Sequence, residues 1–416
     1  FGVELLGNGS NVLEVNQIGT GVGGSVALGN GLGGVRIASS NNRVGGTSLA
    51  TRNQISGNTG PGIQIDGDNN LIQNNLIGAA FDETTPLGNG GAGILVRSGQ
   101  RNALRTNVVF ANGGLGISVA AGANNNGLTQ FTVDASTSYQ GTTAVQGRIQ
   151  GAPNTTYRVE FYSNPVGQGD PSGAGEGQRL IAIRDVTTNG AGSASYFFEF
   201  GTTLDLGAEV SATAADPTGN TSQFAVNAVV ESAFVVTNTN TLDLFTNTDG
   251  TGIGSLGLVL LNANRNPGLD IVTFAIGVGS ATIQPINAMP LPIITDPIVI
   301  DATTQPGFTG RPLVELDGSL AGNRSGLVLN GNSAGSTIRG LVINQFAGAG
   351  IELRSGGHFI AGNYLGTDSS GLLGLGNQTA GILVQSSANQ IGGSNFGEAN
   401  LISGNLGAGV LLSGAA

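Results

Sequence analysis

A block of some fifty residues that occurs twice constrains this chain more than any other feature. Residues 16–65 lie over residues 363–412 without a gap, at a constant offset of 347. Asn16-Gln17-Ile18-Gly19-Thr20 falls on Asn363-Tyr364-Leu365-Gly366-Thr367, and Leu28-Gly29-Asn30 on Leu375-Gly376-Asn377. Val44-Gly45-Gly46 falls on Ile391-Gly392-Gly393, and Asn53-Gln54-Ile55-Ser56-Gly57-Asn58 on Asn400-Leu401-Ile402-Ser403-Gly404-Asn405. A weaker copy follows the first by 59 residues, with Ile77-Gly78 on Ile18-Gly19 and Leu87-Gly88-Asn89 on Leu28-Gly29-Asn30. It loses the Ile-Gly-Gly loop near Asn102. Repetition on this scale points to supersecondary units that bury their apolar faces by stacking.

Within each repeat the apolar pattern is short and alternating. Gly62-Ile63-Gln64-Ile65, Gly93-Ile94-Leu95-Val96, Gly350-Ile351-Glu352-Leu353 and Gly381-Ile382-Leu383-Val384 read as strands bounded by Gly or Asn. They are too short for an ordinary open sheet and recur about every 15–25 residues, the scale of one rung of a solenoid. The 73 glycines then have a use, because Gly and Asn tolerate the positive φ of sharp corners. Asn side chains at such corners can stack and hydrogen-bond along the axis. The competing reading, a disordered Gly-rich tether, does not account for the regular Ile/Val/Leu pattern.

Composition removes whole classes of chemistry. There is no Cys, so no disulfide, thiolate nucleophile or zinc–thiolate site. There is no Lys, so no Schiff base, P-loop phosphate ligand or Lys-derived crosslink. Net charge is −11, and no basic patch suits nucleic acid. No stretch approaches the apolar length needed for a membrane-spanning helix, so no membrane insertion is expected. The opening Phe1-Gly2-Val3-Glu4, already inside a repeat, suggests a mature or excised segment.

Three textures follow one another. Residues 1–127 carry the short repeats and read as the C-terminal part of a solenoid. Residues 128–231 have longer, more aromatic strands at Thr156–Tyr162, Ser195–Phe200 and Glu209–Ala214. Turn clusters at Asn164-Pro165, Asp170–Gly173, Asn189-Gly190 and Asp216–Asn220 separate them, which suggests an antiparallel β-sandwich. In residues 232–416, Phe234–Thr237 is a strand and Ser255–Asn264 the one good helix, with Ser255 as N-cap. Strands at Ile271–Ile276, Thr282-Ile283, Pro297–Ile300 and Leu313–Leu316 lead into a second set of repeats. The expected fold is all-β: two segments of right-handed parallel β-helix with an intervening Ig-like antiparallel sandwich.

These residues resemble large bacterial secreted or cell-surface proteins that combine right-handed parallel β-helix repeats with Ig-like modules. Asn389–Gly393 and Asn400–Asn405 match the family's rungs. Thr237–Asn240, Gly254-Ser255-Leu256 and Ala263-Asn264 resemble the leader that opens its helices. Ile294–Asp301, Gln305–Phe308 and Val314–Ser319 resemble its first coils, and Val159–Tyr162 with Ala215–Ser222 its Ig-like module. Gly257-Leu258-Val259-Leu260 departs from the pattern, being apolar where the family is charged, which implies deeper burial of that helix or packing on a neighbour. The resemblance implies an extracellular or surface location and does not imply a catalytic activity; the chain is not expected to be an enzyme.

The order of parts makes most sense in an array. A leader belongs at the start of a β-helix, yet here it follows residue 230. The expectation is a unit of leader, coils and sandwich that repeats, polymerising head-to-tail by stacking open coil ends. Phe1, Gly2, Val3 and Leu5 would form one face of that joint, and Gly409, Val410 and Leu412 the other. Direct fusion of Ala416 to Phe1 would leave less than a rung between Val3 and Val410. An adhesin is the alternative, with the Ig-like module presenting the Gln168–Gly177 loop to a glycan or cell-surface ligand. A polysaccharide-cleaving β-helix enzyme is the less favoured rival: its best carboxylates, Asp66, Asp68, Asp82, Glu83 and Asp317, are scattered and Trp is absent. No catalytic residue and no cofactor is assigned. Asp66, Asp68, Asp216 and Asn220 are weak calcium candidates, although Asx turns explain them equally. The one histidine, His358, reads as a packed or solvated turn residue.

Overall fold

The computed structural model describes residues 1–139, 141–170, 175–240 and 252–414. It is nearly all β, and it divides into two compact units that meet in sequence at Glu231 and Ser232. The turn cluster expected at Asp170–Gly173 lies, beyond Asp170, outside the described residues.

In the first unit the repeats build three parallel sheets. One contains Val3–Leu5, Val35–Ile37, Ile63–Ile65, Ile94–Val96 and Ile117–Val119 in that order. The second contains Val12–Leu13, Arg43–Val44, Leu71–Gln73 and Ala103–Arg105. The third contains Gln17–Ile18, Gln54–Ile55, Leu76–Ile77 and Val108–Val109. Each rung contributes one strand to each sheet, and each strand pairs in register with its counterpart one rung on, as Val35 with Ile63 and Ile63 with Ile94. A rung takes from 22 residues, Asn53 to Asn75, to 37, Asn16 to Asn53. That is longer than the sequence spacing suggested, because all three strands of a rung are only two or three residues long and those of the second and third sheets carry little periodic signal.

Alternation along each strand sends Val35, Ile37, Ile63, Ile65, Ile94 and Val96 fully inward, while Arg36 between two of them faces out. The glycine before each such strand has a steric cause. A Cβ on Gly62 would lie 2.6 Å from the Gly93 carbonyl oxygen, and one on Gly93 2.7 Å from that of Gly116. Backbones in adjacent rungs approach too closely there for any side chain.

Asn residues form ladders at the corners. Asn30 Nδ2 donates to Asn58 Oδ1 at 2.8 Å, Asn58 to Asn89 at 2.9 Å and Asn89 to Asn112 at 2.9 Å. A second ladder runs Asn16, Asn53, Asn75, Asn107, and a third Asn11, Asn42, Asn70, Asn102. Most interior ladder Asn residues spend their second amide proton on a carbonyl of the preceding rung, as Asn58 does on Ile18 O and Asn75 on Val44 O, whereas Asn42 gives it to Ser39 Oγ. Every corner thus satisfies buried polar groups that water cannot reach.

The first unit also contains a seven-stranded sheet in the order Arg179–Thr187, Thr156–Asn164, Glu209–Ala215, Ala228–Ser232, Gln130–Tyr139, Thr142–Gln150, Ser193–Phe200. Neighbours run antiparallel through the first four strands and again through the last three. The sheet folds over on itself: Phe161, near one edge, packs 5.3–5.9 Å from the rings of Tyr196, Phe198 and Phe200 on the opposite edge strand. The sequence reading missed the Gln130–Gln150 hairpin, which is rich in Ser, Thr and Gln, and Arg179–Thr187, whose apolar residues are aliphatic rather than aromatic.

The second unit repeats the parallel plan. Its six-, five- and four-stranded sheets end at Gln390–Ile391, Leu401–Ile402 and Ala408–Leu412. The helix Leu256–Arg265 starts at Ser255, whose Oγ accepts from Leu258 N at 3.3 Å. Leu256, Val259, Leu260 and Ala263 sink into the same core as Val236, Phe274, Ile300 and Leu329, which is the deeper burial implied by the helix's apolar sequence.

Asn58 accepts from Asn30 N and Nδ2 and donates to Asn89 and Ile18. Asn58→Ala leaves several of these buried groups unpaired and is expected to cost about 2–4 kcal/mol of stability, read as a lowered urea midpoint for the first unit.

Candidate functional site: sealed and open ends of the parallel stacks

A terminal rung leaves a row of backbone donors and acceptors with no next strand, and an apolar interior with no lid. The two units differ in how each end is treated.

At the rear of the first unit, the antiparallel sheet supplies what a further rung would supply. Gly177 bridges Val109 in both directions, each N–H···O at 2.9 Å. Elsewhere side chains substitute for strand carbonyls. Leu104 N donates to Thr221 Oγ1 at 3.0 Å, Arg101 N to Asn220 Oδ1 at 2.5 Å and Thr106 N to Glu160 Oε2 at 2.6 Å. Ala111 N and Asn112 N donate to the two carboxylate oxygens of Glu176 at 2.9 and 3.1 Å. The Asn11 ladder ends in the same way, Asn102 N reaching Asn124 Oδ1 and Asn124 Nδ2 reaching Thr221 O. Tyr162 and Phe224 close the apolar interior beneath Ile117.

Two buried carboxylates belong to this seal. Glu160 is held by Arg158 at 3.0 Å and takes the Tyr162 hydroxyl at 2.6 Å; burial raises the Tyr162 phenol well above its usual value. Glu176 is only 2 % exposed. Burial pushes its pKa up to about 7, against the pull of the Ala111 and Asn112 amides and with a smaller push from Asp170. The sequence placed Glu160 and Tyr162 on a strand, Glu176 in the Gln168–Gly177 loop and Asn220 and Thr221 in a turn run, but no pattern marked any of them for this role; Glu176 is one acidic residue in a Gly-rich stretch.

The front of the second unit is covered by the helix. Beyond its apolar face, Asn262 Nδ2 donates to Ala233 O, Asn264 Nδ2 donates to Ile293 O, and Asn264 Oδ1 accepts from Thr295 N.

The remaining ends carry no such cover among the described residues. In the first unit, Val3–Leu5 pairs only with Val35–Ile37. Gly2 N donates to Gly34 O at 2.8 Å, and the Phe1 ring lies over Gly33. In the second unit, Ala408–Leu412 pairs only with Ala380–Val384, leaving Val410 38 % and Leu412 78 % exposed, with Gly409 between the paired and open sides. All seven residues expected at a joint therefore lie on the first rung of one unit or the last rung of the other. In this last described rung Asn400 and Asn405 donate back to Ile360 O and Leu365 O.

The other candidates have structural partners. Asp66 faces Arg36 and Arg97, each at 3.0 Å, and Asp68 Oδ1 accepts from Gln100 N. Asp216 closes an Asx turn on Thr218 and Asn220. Asp66 and Asp68 lie on the parallel stack, Asp216 and Asn220 on the antiparallel sheet, and no group of three metal-ligating residues occurs among the described residues. Asp82 caps Thr84 and Thr85, and Asp317 caps Ser319 while holding Gln284 and Gln345. His358 is buried, which lowers its pKa, with Nε2 3.0 Å from Ser355 Oγ. The Gln168–Gly177 loop does not present its last part outward, since Glu176 and Gly177 are engaged with the rung; residues 171–174 lie outside the described set.

Comparison with protein families finds no matching family model, and comparison with curated proteins finds no match. Among the described residues no helix is long and apolar enough to cross a membrane.

The folded chain holds the Glu176 proton more tightly than the unfolded chain, whose carboxyl titrates near its ordinary 4.5. Its contribution is therefore complete below that value and lost as pH rises to about 7. The first unit is expected to lose stability across this window in thermal melts, and Glu176→Gln to flatten the dependence.

Proposed function

We propose that this protein is a structural building unit of an extracellular or cell-surface array, in which right-handed parallel β-helices continue end to end. The antiparallel sheet is an Ig-like sandwich that terminates one coil, and the Leu256–Arg265 region is the leader that starts the next. One observation carries the reading: each rung pairs in register with the next and so leaves an edge on which another fits, and dedicated residues end that edge at the rear of the first unit and at the front of the second. An edge of this kind is a template for addition, and head-to-tail addition generates a filament unless the rotation closes. Arg36 with Asp66, and Arg354 with Glu352, place opposite charges on the outer faces of the rungs, which suits stacked rungs held by their interior. No catalytic residue or cofactor is part of this reading. The adhesin alternative has less support, because the loop it relies on contributes Glu176 and Gly177 to the coil seal.

The purified chain is expected to form end-to-end oligomers or fibres by sedimentation velocity and negative-stain microscopy, increasing with concentration. Val410→Lys with Leu412→Lys should lower association at least tenfold while leaving the melting of the first unit unchanged. Uniform monomers at every concentration would overturn the reading.

A further inference from the structure

One corner of the second unit departs from the Asn rule that the first unit keeps. In the first unit Asn11, Asn42, Asn70 and Asn102 stand on successive rungs, each just before a strand of the second sheet. Strand register fixes the equivalent row in the second unit. Thr337 pairs with Phe359 and Phe359 with Gln390, so the residues before them, Ser336, His358 and Asn389, follow one another from rung to rung. The 347-residue offset sets His358 on Asn11 and Asn389 on Asn42. The chain's one histidine therefore occupies a ladder position, and His358 N donates to Asn389 Oδ1 at 3.0 Å as a ladder residue does.

The imidazole performs half of what an Asn does there. Asn42 Nδ2 donates to Ser39 Oγ and Asn389 Nδ2 to Ser386 Oγ, each at 3.1 Å and three residues back. His358 Nε2 lies 3.0 Å from Ser355 Oγ, also three residues back, and the equivalence assigns the proton of the neutral ring to Nε2. Ser355 Oγ in turn lies 2.7 Å from Ser333 Oγ. The accepting half is missing. Asn42 Oδ1 takes both Asn11 N and Asn11 Nδ2 from the preceding rung, whereas His358 Nδ1 is buried with no hydrogen-bond partner. The residue is 1 % exposed, so water does not supply one.

We infer that His358 is an acid-sensitive latch inside the coil of the second unit: the neutral ring holds the corner between the Ser336 and Asn389 rungs closed, and protonation releases it. A second proton adds a donor at Nδ1, where no acceptor is bonded, and a charge in a site closed to water. The corner segments 330–336 and 385–391 carry no charged residue. On the adjoining strands Arg354 is paired with Glu352 at 2.8 Å, and Arg339 with Asp301. Neither pair acts on the ring: burial lowers its pKa, against a smaller upward pull from the Ser355 and Ser336 backbones. The unfolded chain takes up this proton near 6.5, the folded chain only at lower pH. Stability held by the neutral ring is thus complete above 6.5 and is lost as pH falls towards the folded value. Asp270 in the same unit has its pKa raised by burial and so acts in the opposite sense, which lets the sign of the effect separate the two.

This latch concerns a corner between rungs of one chain and stands whether or not units assemble. The full chain has a single imidazole, so its NMR titration is unambiguous, and it is expected to fall below 6.5. The His358, Phe359 and Gln390 amides, bonded to Asn389 Oδ1, Ser336 O and His358 O, report the corner. After correction for intrinsic rates, their exchange is expected to quicken roughly fivefold or more on going from about pH 7.5 to about pH 5.5. His358→Asn restores the ladder residue and should abolish that dependence. An imidazole titrating at or above 6.5, or equal quickening in the unsubstituted chain and the variant, overturns the inference. Where the variant does not fold, the titration of the unsubstituted chain decides.

Discussion

In-register pairing of each rung with the next is the interaction on which everything else in this protein depends. Strands of two to five residues cannot form a stable sheet alone, and a rung has no interior of its own. Stacking converts Ile63, Ile94 and Ile117 into a continuous column and gives Asn58 a neighbour on either side. Such an arrangement has no natural stopping point, because every rung creates the edge on which another fits. The functional question is therefore how each edge is ended.

Two different solutions are built into this chain. The helix covers the front of the second unit largely by apolar packing, with Asn262 and Asn264 binding loose backbone groups. The antiparallel sheet ends the first unit by imitation. Gly177 behaves as a strand residue, while Thr221, Asn220, Glu160 and Glu176 place side-chain oxygens where a further rung would place carbonyls. Burying two carboxylates is costly, and that cost is offset by amide and guanidinium donors for Glu160 and by a raised proton affinity for Glu176. A cap of this type ends one ladder specifically, because each oxygen must meet a particular N–H.

Much of this was legible in the sequence, and the reason is periodicity. Gly62-Ile63-Gln64-Ile65 and its relatives announce their inward residues by alternation, and the 347-residue offset identifies equivalent rungs before any coordinates are known. The Ser255 N-cap and the apolar run after it place the helix. The other two faces of each rung were not legible. Pairs such as Arg43–Val44 and Leu76–Ile77 are too short to carry a period, so the rung length was underestimated. The seal was also hidden. Glu160 and Glu176 acquire their roles only when the fold brings them to Thr106 and Ala111, across separations of 54 and 65 residues. The acidic pairs that looked like metal ligands, by contrast, are drawn to arginines and turn amides.

The contrast between sealed and open edges can be measured in the unmodified chain by residue-resolved hydrogen exchange at concentrations where it is monomeric. The account predicts that the Leu104, Thr106, Val109 and Ala111 amides exchange as slowly as those of interior rungs such as Ile63–Ile65, while Val3–Leu5 and Val410–Leu412 exchange rapidly. Fast exchange at Leu104–Ala111, equal to that of the open edges, would contradict it.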